Sequence, residues 1–110
     1  MSQVEINYEG FLSSIRQIIP NMDADLMVKI MYLERKLPDV YPRVELHVEY
    51  KTGIDTLKKQ EQIRAKYGFP MQVGAHGITM IGQMNIELIE EISKDQDIEH
   101  ISGVATPASY

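Results

Sequence analysis

Val44-Glu45-Leu46-His47-Val48-Glu49-Tyr50 alternates apolar and polar side chains without a break. Successive side chains of a strand point to opposite faces, so the stretch reads as a strand with one buried face. Val44, Leu46, Val48 and Tyr50 form that face, and Glu45, His47 and Glu49 face water. A strand of this kind needs neighbours in a sheet and a layer packed on its apolar side. The flanking sequence is read for both.

Downstream, Thr52-Gly53 ends the strand, and Asp55 is a candidate N-cap for a helix running to Tyr67. Leu57, Ile63 and Tyr67 are expected to turn inward, with Gly68 as C-cap. Met71-Gln72-Val73 starts a second strand, Ala75-His76-Gly77 is a turn, and Ile78 to Met84 is a third strand. Asn85 caps a further helix carrying Leu88, Ile89 and Ile92, which Lys94-Asp95-Gln96-Asp97 closes. Ile98 to Ile101 reads as a last short strand. The order β-α-β-β-α-β over 43–103 predicts an α+β domain, a ferredoxin-like antiparallel sheet with two helices on one face.

Upstream the period changes. Phe11, Leu12, Ile15, Ile18 and Ile19 recur at helical spacing until Pro20. Leu26, Met27, Ile30, Met31, Leu33 and Leu37 form a second stripe behind the N-cap candidates Asn21 and Asp23. Residues 1–40 are thus expected to be an N-terminal helical pair that needs something to pack on. Pro38 and Pro42 make the stretch between them a stiff linker. At the other end, residues 104–110 carry small side chains, no charge and no helical period, the pattern of an extended tail. A tail of that kind can lie along a partner's sheet edge and place alternate side chains in pockets.

Composition narrows the function. The chain has 110 residues, 44% hydrophobic and 25% charged, enough for one small domain. Eleven Lys and Arg against sixteen Asp and Glu give a net charge of -5, which disfavours nucleic acid and anionic membranes as partners. The absence of cysteine removes disulfides, thiol nucleophiles and thiolate metal sites. No apolar run approaches the ~20 residues of a membrane helix. Met1-Ser2-Gln3-Val4-Glu5 lacks the features of a secretory signal, so a cytoplasmic location is expected.

Little in the sequence suggests chemistry. His47, His76 and His100 fall in no spacing that places two metal ligands on one helical face. Glu87, Glu90 and Glu91, followed by Asp95, Asp97 and Glu99, trace the wet side of a helix and its exit, so they do not form a catalytic pair. No G-x-S-x-G elbow or phosphate loop is present, and the basic residues Lys58, Lys59, Arg64 and Lys66 lack interleaved aromatics. Met27, Met31, Met80 and Met84 sit at core spacings. The expectation is a protein that is not itself a catalyst, with no cofactor and no metal.

From Val44 to Tyr110 the chain resembles the propeptide, or inhibitor domain, of subtilisin-like serine proteases. The likeness rests on Ile86 to Ile101, an amphipathic helix, a Lys94-Asp95-x-x turn and a short apolar strand, and on the opening strand Val44 to Lys51. It rests also on the spacing from Asp95 to a terminal Tyr110. A helical extension before the first strand is similar to propeptides of intracellular members.

The resemblance implies an intramolecular chaperone that then inhibits its protease as a bound product. The sheet would pack on two parallel surface helices of the enzyme. Tyr110 would fill the first specificity pocket, with Ser109, Ala108 and Pro107 in the next three. Where the family often carries acids that cap the protease's helices, this chain has Ser102 and Val104, and Ser102 can cap through its hydroxyl. The family commonly has an unrestricted small or apolar residue where Pro107 stands. Two alternatives stay open: a stand-alone inhibitor of the same fold, and a ferredoxin-like regulatory domain that binds a small molecule. In a third reading, residues 1–40 are a separate docking module.

Overall fold

The strand that the alternation predicts is β1, Arg43–Tyr50, and it buries every second residue from Val44 to Tyr50. It lies inside a sheet of the computed structural model, which describes residues 19–108. Along the chain come α1 (Ala24–Lys36), β1, α2 (Thr56–Tyr67), β2 (Met71–Val73), β3 (Gly77–Gln83), α3 (Ile86–Ser93) and β4 (Ile98–Thr106). The four strands form one sheet in the order β2-β3-β1-β4, antiparallel at every pairing.

The α+β class is therefore as the sequence predicts, with two corrections. A helix leads the first strand, so the order of the described chain is α-β-α-β-β-α-β and not a bare β-α-β-β-α-β. In place of a helical pair, the described residues contain the single helix α1. The other expected helix falls on residues that, apart from Ile19, lie outside the described range.

At Pro20 the chain turns, Met22 donating its N–H to the Ile19 carbonyl at 3.1 Å, and then meets a strand to pair with. Asn21–Asp23 lies against the outer edge of β4, with a parallel bridge from Met22 to Ile101. Asp23 donates its N–H to the Ile101 carbonyl at 2.8 Å, and Ile101 donates to the Asn21 carbonyl at 2.9 Å. Asp23 then caps α1, its side chain accepting from Asp25 N–H. Leu26, Met27, Ile30 and Leu33 of α1 are buried in the same core as Val44, Leu46, Val48, Ile89 and Ile101. This helix shares the core of the sheet and does not stand apart as a docking module.

Local signals place the remaining elements. The Asp55 carboxylate accepts from Leu57 and Lys58 N–H at the start of α2, and Gly68 ends that helix in the left-handed region at φ 73°. The rotation of α2 differs from expectation. Thr56 donates its hydroxyl to the Gly74 carbonyl at 2.9 Å, turning Lys59, Ile63 and Tyr67 toward the sheet. Leu57, predicted to face inward, is 62% exposed.

The last strand is longer than the predicted Ile98 to Ile101. β4 pairs with β1 as far as Thr106 opposite Arg43, so residues 104–106 of the expected tail belong to the sheet. A register shift opposite Glu49 and Tyr50 lets both Ile98 and Ile101 point inward.

Candidate functional site

All the buried residues of β1 lie under the helices, which leaves the other sheet face uncovered among the described residues. Register defines that face row by row. Arg43 lies between Gln83 and Thr106, and Glu45 between Ile81 and Val104. His47 lies between Thr79 and Ser102, and Glu49 between Gly77 and His100. Val104 is 58% exposed, the largest apolar exposure on the face. The His47 Nδ1 and Thr79 Oγ1 atoms are 2.8 Å apart and hydrogen-bonded across the strands.

Of the predicted site residues, Ser102 is half-buried on this face beside His47. Pro107 is exposed just past the end of β4. Ala108 is buried and shares a surface depression with Arg43, Pro70, Ile81, Gly82 and Gln83. Ser109 and Tyr110 lie outside the described residues. The structure thus brings Ser102 onto the uncovered face, and the strand carrying it leads directly into Pro107 and Ala108. His76 stands in the turn before β3, where its carbonyl accepts from Tyr50 N–H at 2.8 Å. Among the described residues, no three His, Asp or Glu side chains converge as a metal-binding group. None of the described helices is long and apolar enough to cross a membrane.

A second feature, on the helix side, escaped sequence reasoning. Lys59 Nζ lies 2.9 Å from Asp95 and 2.8 Å from Asp97, tying α2 to the turn before β4. One turn back along α3, Glu91 pairs with Lys66. Between these two links is a cleft of about 360 Å³, with Gln62, Ile63 and Ile92 on its walls and Tyr50 at its base. Tyr50 is 3% exposed, and its buried hydroxyl has no hydrogen-bond partner among the described residues. Burial, and then the negative charge of Asp95, push this phenol up to about 12. The Lys59 ammonium donates hydrogen bonds to Asp97 and Asp95, which raise its pKa and keep it charged. In the sequence, Lys59 is one of several polar residues from Lys58 to Gln62. Only the three-and-four spacing Thr56, Lys59, Ile63, Tyr67 marks it as inward.

Compared with protein-family models, with curated proteins and with solved structures, the chain gives no match.

Proposed function

We propose that this chain is the propeptide of a subtilisin-like serine protease, chaperoning the enzyme's folding and then inhibiting it as a bound product. The carrying observation is the uncovered sheet face, with Val104 at its exposed apolar point, on the same strand that leads into Pro107. After α1 the elements follow β-α-β-β-α-β, which this reading takes as the ferredoxin-like inhibitor unit.

The chemistry of the face suits helices as partners. Helix N-termini present unpaired N–H groups and partial positive charge. Glu45 and Glu49, with the hydroxyls of Ser102 and Thr79, supply acceptors for them, and Val104 supplies apolar contact. The tail then does the inhibiting. Pro107, Ala108, Ser109 and Tyr110 extend along the substrate cleft with main-chain hydrogen bonds setting register. The Tyr110 ring fills the first pocket, contributing about 1.5–3 kcal/mol by burial. Ala108 must leave its place beside Gly82 and Gln83 for this to happen, so binding includes a release step.

The test is inhibition of a broad-specificity subtilisin-like protease by the full chain and by a form ending at Thr106. Tight inhibition that the shorter form loses supports the reading. A folded full chain that leaves the protease uninhibited refutes it.

A further inference from the structure

The outer side of α1 carries exposed apolar surface of which the protease reading makes no use. Tyr32, 54% exposed, stands on one side of it and Tyr41, 50% exposed, on the other. Between them two depressions meet at Met31. One is formed by Val28, Met31, Tyr32 and Arg35. The other runs from Met31 past Leu37 and Tyr41 to Ile86, at the start of α3. Val28, Met31 and Leu37 are only partly buried, so an apolar strip continues across the helix. A continuous exposed strip of this kind marks a surface that another molecule covers.

Charge divides the strip. On the Tyr32 side, the Lys29 and Lys36 ammoniums stand 5.8 and 5.7 Å from the centre of the Tyr32 ring, and Arg35 lines the same depression. Asp25 lies one turn before Lys29, and this side still keeps an excess of positive charge. On the other side of Met31 the rim carries Glu34 and Glu87. Glu34 is held there by the Ile86 N–H, 2.8 Å from its Oε1. Among the described residues, none of these three cations and two carboxylates is in an ion pair.

We propose that this strip is the contact between two copies of the chain, related by a two-fold axis that passes beside Met31. A two-fold contact uses one patch twice, so a residue on one side of the axis meets the residue on the opposite side of the partner's patch. The strip has the layout this requires: apolar at the axis, cations on one side, carboxylates on the other. Arg35 of each copy faces the partner's Glu87, and the two Met31 side chains meet in the middle. A partner carrying one sign of charge sets a like charge against one side of the strip, which is costly. Two chains of net charge -5 repel at a distance, so they can associate only where opposite charges meet closely. The strip is smaller than a standard interface of roughly 20–30 residues a side, so the dimer is weak, with a micromolar Kd. It lies on the helix side of the sheet and leaves the uncovered face open.

The experiment is sedimentation equilibrium of the full chain between about 10 µM and about 1 mM. A monomer–dimer equilibrium with a Kd at or below about 300 µM is expected. Arg35→Glu and Glu87→Arg, both at exposed positions, should each weaken it by about fivefold or more. Lys58→Glu makes the same change of net charge as Arg35→Glu at an exposed position of α2, and should leave the Kd within about twofold. Two recombinations should bring the dimer back: the double variant, and an equimolar mixture of the two single variants. In both, opposite charges again meet across the axis. Circular dichroism melts check that every variant is folded. A chain that stays monomeric throughout this range overturns the proposal. So does a dimer that either single swap leaves intact, one that neither recombination restores, or one that Lys58→Glu weakens as much as Arg35→Glu.

Discussion

Gly103 is the residue on which the length of β4 depends. Its φ of 151° lies where L side chains rarely go, and a Cβ there would run into the Glu45 carbonyl oxygen of β1. Gly103→Ala should therefore cost about 1–3 kcal/mol, or more if the two strands must separate. Chemical denaturation would read the loss, and an unchanged midpoint would show that β1 can shift aside.

Tyr50 supplies a second residue-level prediction. Folding raises its phenol from 10.0 to about 12, so the unfolded chain ionises first as pH rises. The stabilisation is complete below pH 10.0 and is lost as pH climbs toward 12. Lys59 is raised as well and acts in the same direction. Thermal melts across that alkaline range should fall more steeply for the parent chain than for Tyr50→Phe.

Among the elements, α1 deserves the first deletion. It contributes Leu26, Met27, Ile30 and Leu33 to the core, each worth about 1.5–3 kcal/mol when buried. Four such side chains match the whole stability of a small domain, about 5–15 kcal/mol. Its Glu34 also accepts from Ile86 N–H at 2.8 Å, capping α3 alongside Asn85. A chain beginning at Tyr41 should lose its cooperative melt by circular dichroism, and an unchanged melt would sink the argument.

The elements also show what the sequence made legible. β1 was readable because its alternation is strict, and α2 and α3 because Asp55, Gly68 and Asn85 are local signals that act within a few residues. The continuation of β4 was not, since Ser102-Gly103-Val104-Ala105-Thr106 is small and weakly patterned. It is a strand because β1 lies beside it, a pairing some fifty residues distant in sequence. For the same reason the bridge from Met22 to Ile101 just before the Asp23 cap, and the double partnership of Lys59, were hidden. Nothing near these residues in the chain announces Ile101, Asp95 or Asp97. At the candidate site, Ser102 and Pro107 were picked out by likeness to a family. The row of neighbours that surrounds Ser102 became visible only with strand register.

At the scale of the whole molecule, the sheet divides the protein into two sides with different duties. One is fully committed to the core and the α2–α3 cleft, and the other is uncovered among the described residues. A change on the uncovered side should therefore separate stability from binding. Val104→Lys should move the melting free energy by no more than about 0.5 kcal/mol. It should weaken inhibition of a subtilisin-like protease at least tenfold, measured by titrating the protease with each form. Equal inhibition by both forms would remove the sheet face from the proposed contact.

The clasp between Asn21–Asp23 and Ile101 also bears on how the protein is made. A ribosome delivers the chain in order, yet α1 rests on the last strand of the sheet, and β1 remains without one of its two neighbours until β4 exists. Long-range pairings of this kind are slow to form because closure of the intervening chain must come first. The nascent chain must therefore carry the exposed apolar stripe of α1 until β4 has been made. That is the interval in which an unfinished chain is most open to chaperones and to aggregation.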